Sequence, residues 1–228
     1  MLIYAHRGAS ADFPEGTKAA YEAAITQGAD GFECDVRLTK DQQIICYHDS
    51  NTSRLSGVNL EIAKTDFAKL KMAVNPYLLS ELLDLAIINK KNLAIETKHP
   101  VPTGGLIEKM VHQLLASKEK EIKESGISIS IMSFSWLATQ RNILAGYESV
   151  YLVADDRLSK FNTAGIIGPS IGIIRSNPDF VKQLKSSGRR VFVWTVNDPN
   201  DVKLCADAGV DVIISDNPAQ ARKALGYS

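Results

Sequence analysis

No disulfide framework, no membrane-length apolar run and no excess charge of either sign can be found in this sequence. Its cysteines number three, Cys34, Cys46 and Cys205, widely spaced and each embedded in an apolar run. They read as buried free thiols in a reducing compartment, because a disulfide scaffold needs an even, closely spaced set. The opening Met1-Leu2-Ile3-Tyr4 meets Arg7 too soon for a secretory leader or a membrane span, so a cytoplasmic protein without stable membrane insertion is expected. Lys+Arg and Asp+Glu each total 26, giving zero formal charge. With no basic tract or RNA-binding motif, nucleic acid is excluded as the main partner. Internal repeats, low-complexity tracts and linkers are also missing.

What the chain does contain is apolar material in regular instalments. Its 228 residues are 45% hydrophobic and 23% charged, enough for a sizeable core. Strand-like runs fall near Leu2–Ala5, Gly31–Val36, Leu93–Thr97, Ile129–Ser133, Val150–Val153, Ile171–Ile174, Val191–Val196 and Val212–Ser215. Helical patterns lie between most of them, near Thr17–Gln27, Ser80–Asn89, Gly105–Ala116, Trp136–Ala145, Pro178–Ser186, Pro199–Ala208 and Pro218–Leu225. The helix expected between Val153 and Ile171 is weakly marked. Alternation of this kind predicts parallel strands joined by helical crossovers, here a (β/α)8 TIM barrel spanning residues 1–228 as one domain. Asp49 to about Tyr77 breaks the rhythm: it is polar, with a Ser-Gly turn, a short helical stretch near Thr65–Met72 and no obvious apolar face. It reads as a small insertion after the strand leading to His48, placed as a cap over the barrel mouth.

Chemistry-bearing residues gather at the strand ends, where parallel barrels keep their active sites. In Gly31-Phe32-Glu33-Cys34-Asp35-Val36, alternation points Glu33 and Asp35 to one face and the apolar residues to the other. Leu93 to Lys98 repeats the pattern with Glu96 and Lys98. Three carboxylates facing a barrel lumen are costly unless compensated, and their oxygens suit Mg²⁺ or Ca²⁺. A buried ion-pair network with Arg7 and Lys98 is the alternative. His6 and His48 each end an apolar run beside a second polar group, Arg7 or Asp49, so together they can serve as acid and base. His99 and His112 read as structural. Trp194 and Phe134, both near strand ends, fit a core role and an apolar pocket wall equally.

The ordered set His6-Arg7-Gly8, Pro14-Glu15-Gly16-Thr17, Glu33-Cys34-Asp35-Val36, Thr39-Lys40-Asp41, Tyr47-His48-Asp49, Glu96-Thr97-Lys98 and Trp194-Thr195-Val196-Asn197 resembles the glycerophosphodiester phosphodiesterase family. Ser215-Asp216-Asn217-Pro218 resembles its closing motif. The resemblance implies a metal-dependent enzyme that hydrolyses glycerophosphodiesters to sn-glycerol 3-phosphate and an alcohol. It assigns Glu33, Asp35 and Glu96 to one divalent ion, His6 and His48 to acid–base catalysis, and Arg7 and Lys98 to the phosphate oxygens. It leaves two routes, attack by water or by the glycerol 2-hydroxyl through a cyclic phosphate, of which intramolecular attack has the entropic advantage. The family usually reads Pro-Glu-Asn-Thr where this chain has Gly16, a change that removes no ligand or proton carrier.

Two other readings compete. A phospholipase D-like barrel acting on lysolipids or sphingolipids shares the architecture, but its secreted relatives brace the site with disulfides. A catalytically idle barrel that binds a phosphodiester or a partner protein would not need both histidines. A homo-oligomer is left open by the sequence.

Overall fold

Short apolar runs become the staves of a closed barrel in a computed structural model that describes residues 1–157 and 163–227. The first half of the chain runs β1 (Leu2–His6), α1 (Lys18–Thr26), β2 (Gly31–Leu38), β3 (Ile44–Cys46), α2 (Ser53–Ser56), a 3-10 turn (Ile62–Lys64), α3 (Phe67–Val74), β4 (Tyr77–Leu78), α4 (Leu79–Ile88), β5 (Asn92–Thr97) and α5 (Leu106–Ser117). It continues through α6 (Glu119–Ser125), β6 (Ile129–Ser133), α7 (Trp136–Leu144), β7 (Ser149–Val153), β8 (Ile166–Pro169) and α8 (Ile171–Ser176). Last come α9 (Asp179–Ser186), β9 (Arg190–Val193), α10 (Pro199–Ala208), β10 (Val212–Ser215) and α11 (Pro218–Leu225). Strands β1, β2 and β5 to β10 pair in parallel, each with the next, and β10 pairs back onto β1. The result is the expected (β/α)8 barrel.

Alternation along each strand sorts side chains into two layers. Tyr4, Ala94, Met132, Val150, Leu152, Ile166, Phe192, Val212 and Ile214 fill the lumen as one buried cluster. Tyr4 packs edge-on against Phe192, with ring centroids 5.9 Å apart. Intervening residues such as Phe32, Cys34, Val36, Leu93 and Ile95 point outward and pack under α1, α4 and α5. A second outer layer joins Ile3, Val191, Val193 and Ile213 to Val181, Leu184, Val202 and Cys205 of α9 and α10. Each such side chain fully removed from water contributes about 1.5–3 kcal/mol. All three cysteines are free and buried.

Caps set the helix entries. Thr17 accepts from Ala20 N, Asp198 from Asn200 N and Asn217 from Gln220 N, the last two directly before a proline in the first turn. At the third Asx-Pro pair the helix begins one residue later, with Pro178 as its N-cap and no side-chain bond there.

One expected strand is misplaced. Ile171–Ile174 opens α8, and the sixth stave is Ile166–Pro169. The two apolar runs lie on either side of Ser170, and four-residue runs carry too little periodicity to separate strand from helix. Gly168 and Pro169, which read as turn residues, end the strand instead. The weakly marked connection expected between Val153 and Ile171 passes through residues 158–162, outside the described residues. Among the described residues, no helix is long and apolar enough to cross a membrane.

Beyond the rim, β2 continues into a hairpin. β3 folds back antiparallel on β2 with Leu38 opposite Ile44 and Val36 opposite Cys46, and β4 pairs with β3. The helical stretch expected near Thr65–Met72 is α3. Residues 49–77 do carry an apolar face, contrary to their sequence: Ile62 and Leu70 are buried with Ile45 and Tyr47, flanked by Leu60, Phe67 and Val74. Within the segment, Phe67, Leu70 and Val74 share one face of the short α3 at i, i+3 and i+7, while Leu60 and Ile62 come from the chain around the 3-10 turn.

Candidate active site

Strand register brings the acidic residues together. His6 lies opposite Glu33 across β1 and β2, and Asp35 lies opposite Glu96 across β2 and β5. All four point into the barrel near its C-terminal rim. Glu33, Asp35 and Glu96 each offer one oxygen such that all three lie within 4.8 Å of one another. They are only 2%, 2% and 8% exposed.

Two cations answer three carboxylates. Arg7 Nε stands 2.7 Å from Asp35 Oδ2, while Lys98 Nζ stands 3.1 Å from Asp35 Oδ1 and 2.8 Å from Glu96 Oε1. The contacts to Asp35 lack hydrogen-bonding angles, so they act as ion pairs and both Asp35 oxygens have no hydrogen-bond donor. Burial alone would raise the Asp35 pKa, but Arg7 and then Lys98 outweigh it and hold it at about 2. Burial, then the Asp35 charge, pushes Glu96 up to about 7. The same two causes raise Glu33 well above the carboxylate range. This acidic cluster is short of positive charge, and a hard cation with oxygen ligands fits it. The alternative of a self-sufficient ion-pair network is disfavoured by the two carboxyls that the local cations fail to hold ionised.

Arg7 is fixed by its backbone as well as its side chain. Its φ of 57° is left-handed and costs a non-glycine residue about 1–3 kcal/mol. The turn holds because Arg7 N donates to Glu33 O at 3.0 Å and Arg7 O accepts from Gly16 N at 2.8 Å. Gly8 follows at φ 85°, where an added Cβ would lie 2.6 Å from Ala20, so glycine lets α1 approach the strand end. Gly16 itself has φ 68°, a conformation asparagine also tolerates.

The two histidines reach the mouth by different paths. His6 ends β1, and its Nδ1 lies 2.6 Å from Asp216 Oδ1 and its Nε2 3.9 Å from Glu33 Oε2. His48 is returned to the rim by the hairpin, with Tyr47 N donating to Asp35 O at 2.9 Å and Arg37 Nε to His48 O at 2.9 Å. Its Nδ1 lies 2.8 Å from Asp49 Oδ1. Burial lowers the His48 pKa below the usual imidazole value, and the Asp35 and Asp49 charges only partly oppose it. Asp49 is held below the carboxylate range because bonds from His48 and Arg54 outweigh burial.

A cavity of ≈200 Å³ opens above the carboxylates. His6, Arg7, Glu33, His48, Glu96 and Lys98 form its polar side; Met132, Phe134, Leu152, Trp194 and Ile214 form its apolar side. Phe134 and Trp194 therefore belong to a wall, packed edge-to-face at 5.3 Å. Trp194 Nε1 donates to Gly168 O at 2.7 Å, which fixes the indole plane. Val196, which strict alternation would place with Trp194, lies instead in the outer layer, because β9 stops at Val193. His99 pairs with buried Glu108 at 2.6 Å and His112 with Asn142 at 2.8 Å, both in structural positions.

Several residues of the site were given no role from the sequence. Asp216 receives His6, Ser10 Oγ at 3.0 Å and Asn197 Nδ2 at 2.5 Å. The His6 bond first, with Asn197 and Ser10, outweighs burial and holds Asp216 at about 2. In the sequence it stands in the Ser215-Asp216-Asn217-Pro218 motif, one residue past the last stave, with no role attached. Glu15 and Arg54 link Arg7 to Asp49, and Arg54 sits in a polar turn that nothing local distinguishes. Taken together, the mouth offers a cation-binding cluster, two fixed cations for an anionic group, two carboxylate-anchored imidazoles and an apolar wall. That combination suits hydrolysis of a small phosphate ester.

Comparison with known proteins gives the same direction. The profile of the "Glycerophosphoryl diester phosphodiesterase family" matches residues 6–220. A "Probable glycerophosphodiester phosphodiesterase 1" of Mycobacterium tuberculosis is 30% identical, covering 97% of this chain and 91% of the relative. A glycerophosphodiester phosphodiesterase of Caldanaerobacter subterraneus is 28% identical over 95% of this chain and 94% of its own. Among solved structures, the glycerophosphodiester phosphodiesterase of Thermotoga maritima superposes with a TM-score of 0.83 at 22% identity, covering 98% and 97% of the two chains. An Oleispira antarctica phosphodiesterase in complex with the product sn-glycerol-3-phosphate gives a TM-score of 0.80 at 22% identity, covering 99% and 97%.

Proposed function

This chain is a member of the glycerophosphodiester phosphodiesterase family, and on that premise we propose that it hydrolyses glycerophosphodiesters to sn-glycerol 3-phosphate and an alcohol. One divalent cation, Mg²⁺ or Ca²⁺, is held by Glu33, Asp35 and Glu96. The observation that carries this reading is the convergence of that undercompensated acidic cluster with Arg7, Lys98, His6 and His48 at one cavity.

When bound, the cation supplies Lewis-acid polarisation of the phosphate. Arg7 and Lys98 are placed to bind its oxygens as charge builds in the transition state. His6 and His48 divide proton transfer, one taking the proton of the attacking oxygen and the other protonating the leaving alcohol. Each is anchored through Nδ1 by a carboxylate, which leaves Nε2 for the reacting groups. Phe134 and Trp194 face the carbon skeleton of the glycerol moiety. The ≈200 Å³ cavity is of a size for a glycerophosphate group, which supports a glycerophosphodiester as substrate. The buried free thiols support a reducing, cytoplasmic setting.

The test is turnover of glycerophosphocholine, read as release of glycerol 3-phosphate. Activity should vanish with a chelator and return with Mg²⁺ or Ca²⁺. His6→Ala and His48→Ala should each lose roughly 10²-fold or more of kcat. Binding without turnover by the native protein would favour the idle-barrel reading instead.

A further inference from the structure

The polar segment after His48 contributes no side chain between residues 50 and 77 to the lining of the mouth cavity. It nevertheless reaches the catalytic loops through one arginine. Arg54 lies on the single-turn α2, seated by Ser53 N bonding to Asn51 Oδ1 at 3.0 Å and closed by Gly57 at φ 71°. Its guanidinium is forked between two loops. Nη1 and Nη2 take the two oxygens of Glu15 at 2.9 and 2.6 Å, and Nε takes Asp49 Oδ2 at 2.6 Å. Glu15 Oε1 also accepts from Arg7 Nη1 at 3.1 Å, and Asp49 Oδ1 meets His48 Nδ1 at 2.8 Å. A continuous chain of polar contacts thus runs Arg7, Glu15, Arg54, Asp49, His48.

We propose that Arg54 is a positioning residue that sets Arg7 and His48 in register across the mouth, and that residues 50–77 serve to present it. The inference rests on the reading of Arg7 as phosphate ligand and His48 as proton carrier. Arginine is the residue such a bridge requires, because its planar fork serves both oxygens of one carboxylate while Nε serves another. Lysine offers one point charge and would hold one carboxylate at a time. Arg54 is too exposed, at 47% of its side chain, for these pairs to contribute much to folding. Their effect is on geometry: Arg7 and His48 come from different elements, one after β1 and one from the hairpin, and no hydrogen bond joins the two side chains directly. Ile45, Tyr47, Ile62 and Leu70 tie the segment to the hairpin in a small buried core.

The experiment measures kcat and KM for glycerophosphocholine in Arg54→Met, Arg54→Lys, Asp49→Asn and Arg54→Met/Asp49→Asn, with thermal melts of each. Arg54→Met should lose about ten- to a hundredfold in kcat, the scale of a misplaced catalytic group, with KM changed less than about threefold. Arg54→Lys should fall between Arg54→Met and the native enzyme. The double variant should be little worse than the poorer single one, because both break the same chain. A rise in KM with kcat intact would make Arg54 a substrate contact and overturn the proposal, as would additive losses in the double variant. Should Arg54→Met fail to fold, Arg54→Lys and Asp49→Asn carry the test. If His48→Ala retains turnover, the acid–base reading itself fails. If His48→Ala is inactive and Arg54→Met is not, only the positioning role is lost.

Discussion

His6 and Asp216 stand 210 residues apart in sequence and 2.6 Å apart in space. Asp216 is held ionised, so it is an acceptor only and His6 Nδ1 carries the proton between them. That leaves His6 Nε2 as the nitrogen facing the site, close to Glu33. The same logic holds for His48 and Asp49. Each imidazole is thereby confined to one tautomer and one plane before substrate arrives.

Asp216→Asn is expected to uncouple this arrangement while leaving the fold intact. The amide can present its NH2 to Nδ1 and stabilise the opposite tautomer. Turnover should fall about ten- to a hundredfold, in line with loss of an orienting partner. Steady-state kinetics with a melting curve checks this; unchanged kcat would mean that Asp216 only braces Ser10 and Asn197.

Glu96 is expected to make the proposed cation site pH-dependent. Its folded pKa of about 7 lies above the ordinary value near 4.3, so the cation-free folded state holds a proton that the unfolded chain has released. Stability from this group is full below about pH 4.3 and is lost as pH rises through 7. Melting temperatures in EDTA should decline across that window, and Glu96→Gln should flatten the decline. Calorimetry should show cation affinity rising with pH up to about 7 with proton release. Affinity independent of pH would count against Glu96 as a ligand.

Trp194→Ala should weaken substrate binding more than chemistry. Losing the ring removes an apolar wall worth about 1.5–3 kcal/mol, so KM should rise on the order of tenfold with kcat less affected. Phe134→Ala should share part of that loss, since the two rings are in contact. Kinetics of the pair in a double-mutant cycle checks it, and full additivity would contradict a shared wall.

The attacking group can be identified with a substrate whose glycerol 2-hydroxyl is replaced by hydrogen. If the 2-hydroxyl attacks through a cyclic phosphate, this analogue should bind and resist cleavage. Hydrolysis near the parent rate would establish direct attack by water.

Much of this site was legible because strand alternation is unforgiving. Glu33 and Asp35 had to share a face opposite Phe32, Cys34 and Val36, and Glu96 and Lys98 repeated the rule. The barrel followed from alternation of strands and helices. Ile166–Pro169 was hidden by its own Gly168 and Pro169, beside a second apolar run that became helix. Asp216 and Arg54 were obscure for another reason. Their roles come from partners 210 and 39 residues away, and nothing in a local window encodes such a meeting. The apolar face of residues 49–77 rests on the two-turn stripe Phe67, Leu70 and Val74 in α3, and its remaining members Leu60 and Ile62 lie outside that helix.

The ring of strands closes only where Leu2 to Ala5 lie beside Val212 to Ser215. During synthesis, therefore, β1 is the first stave to emerge and keeps one edge unpaired until β10 has been translated. An open strand edge can recruit other chains, and closure between distant segments comes late in folding. Ribosome-bound chains arrested before Val212 should be inactive and open to protease along β1; an active, protected chain lacking β10 would contradict this. His6 thus acquires its anchoring carboxylate, Asp216, only when the final stave is in place.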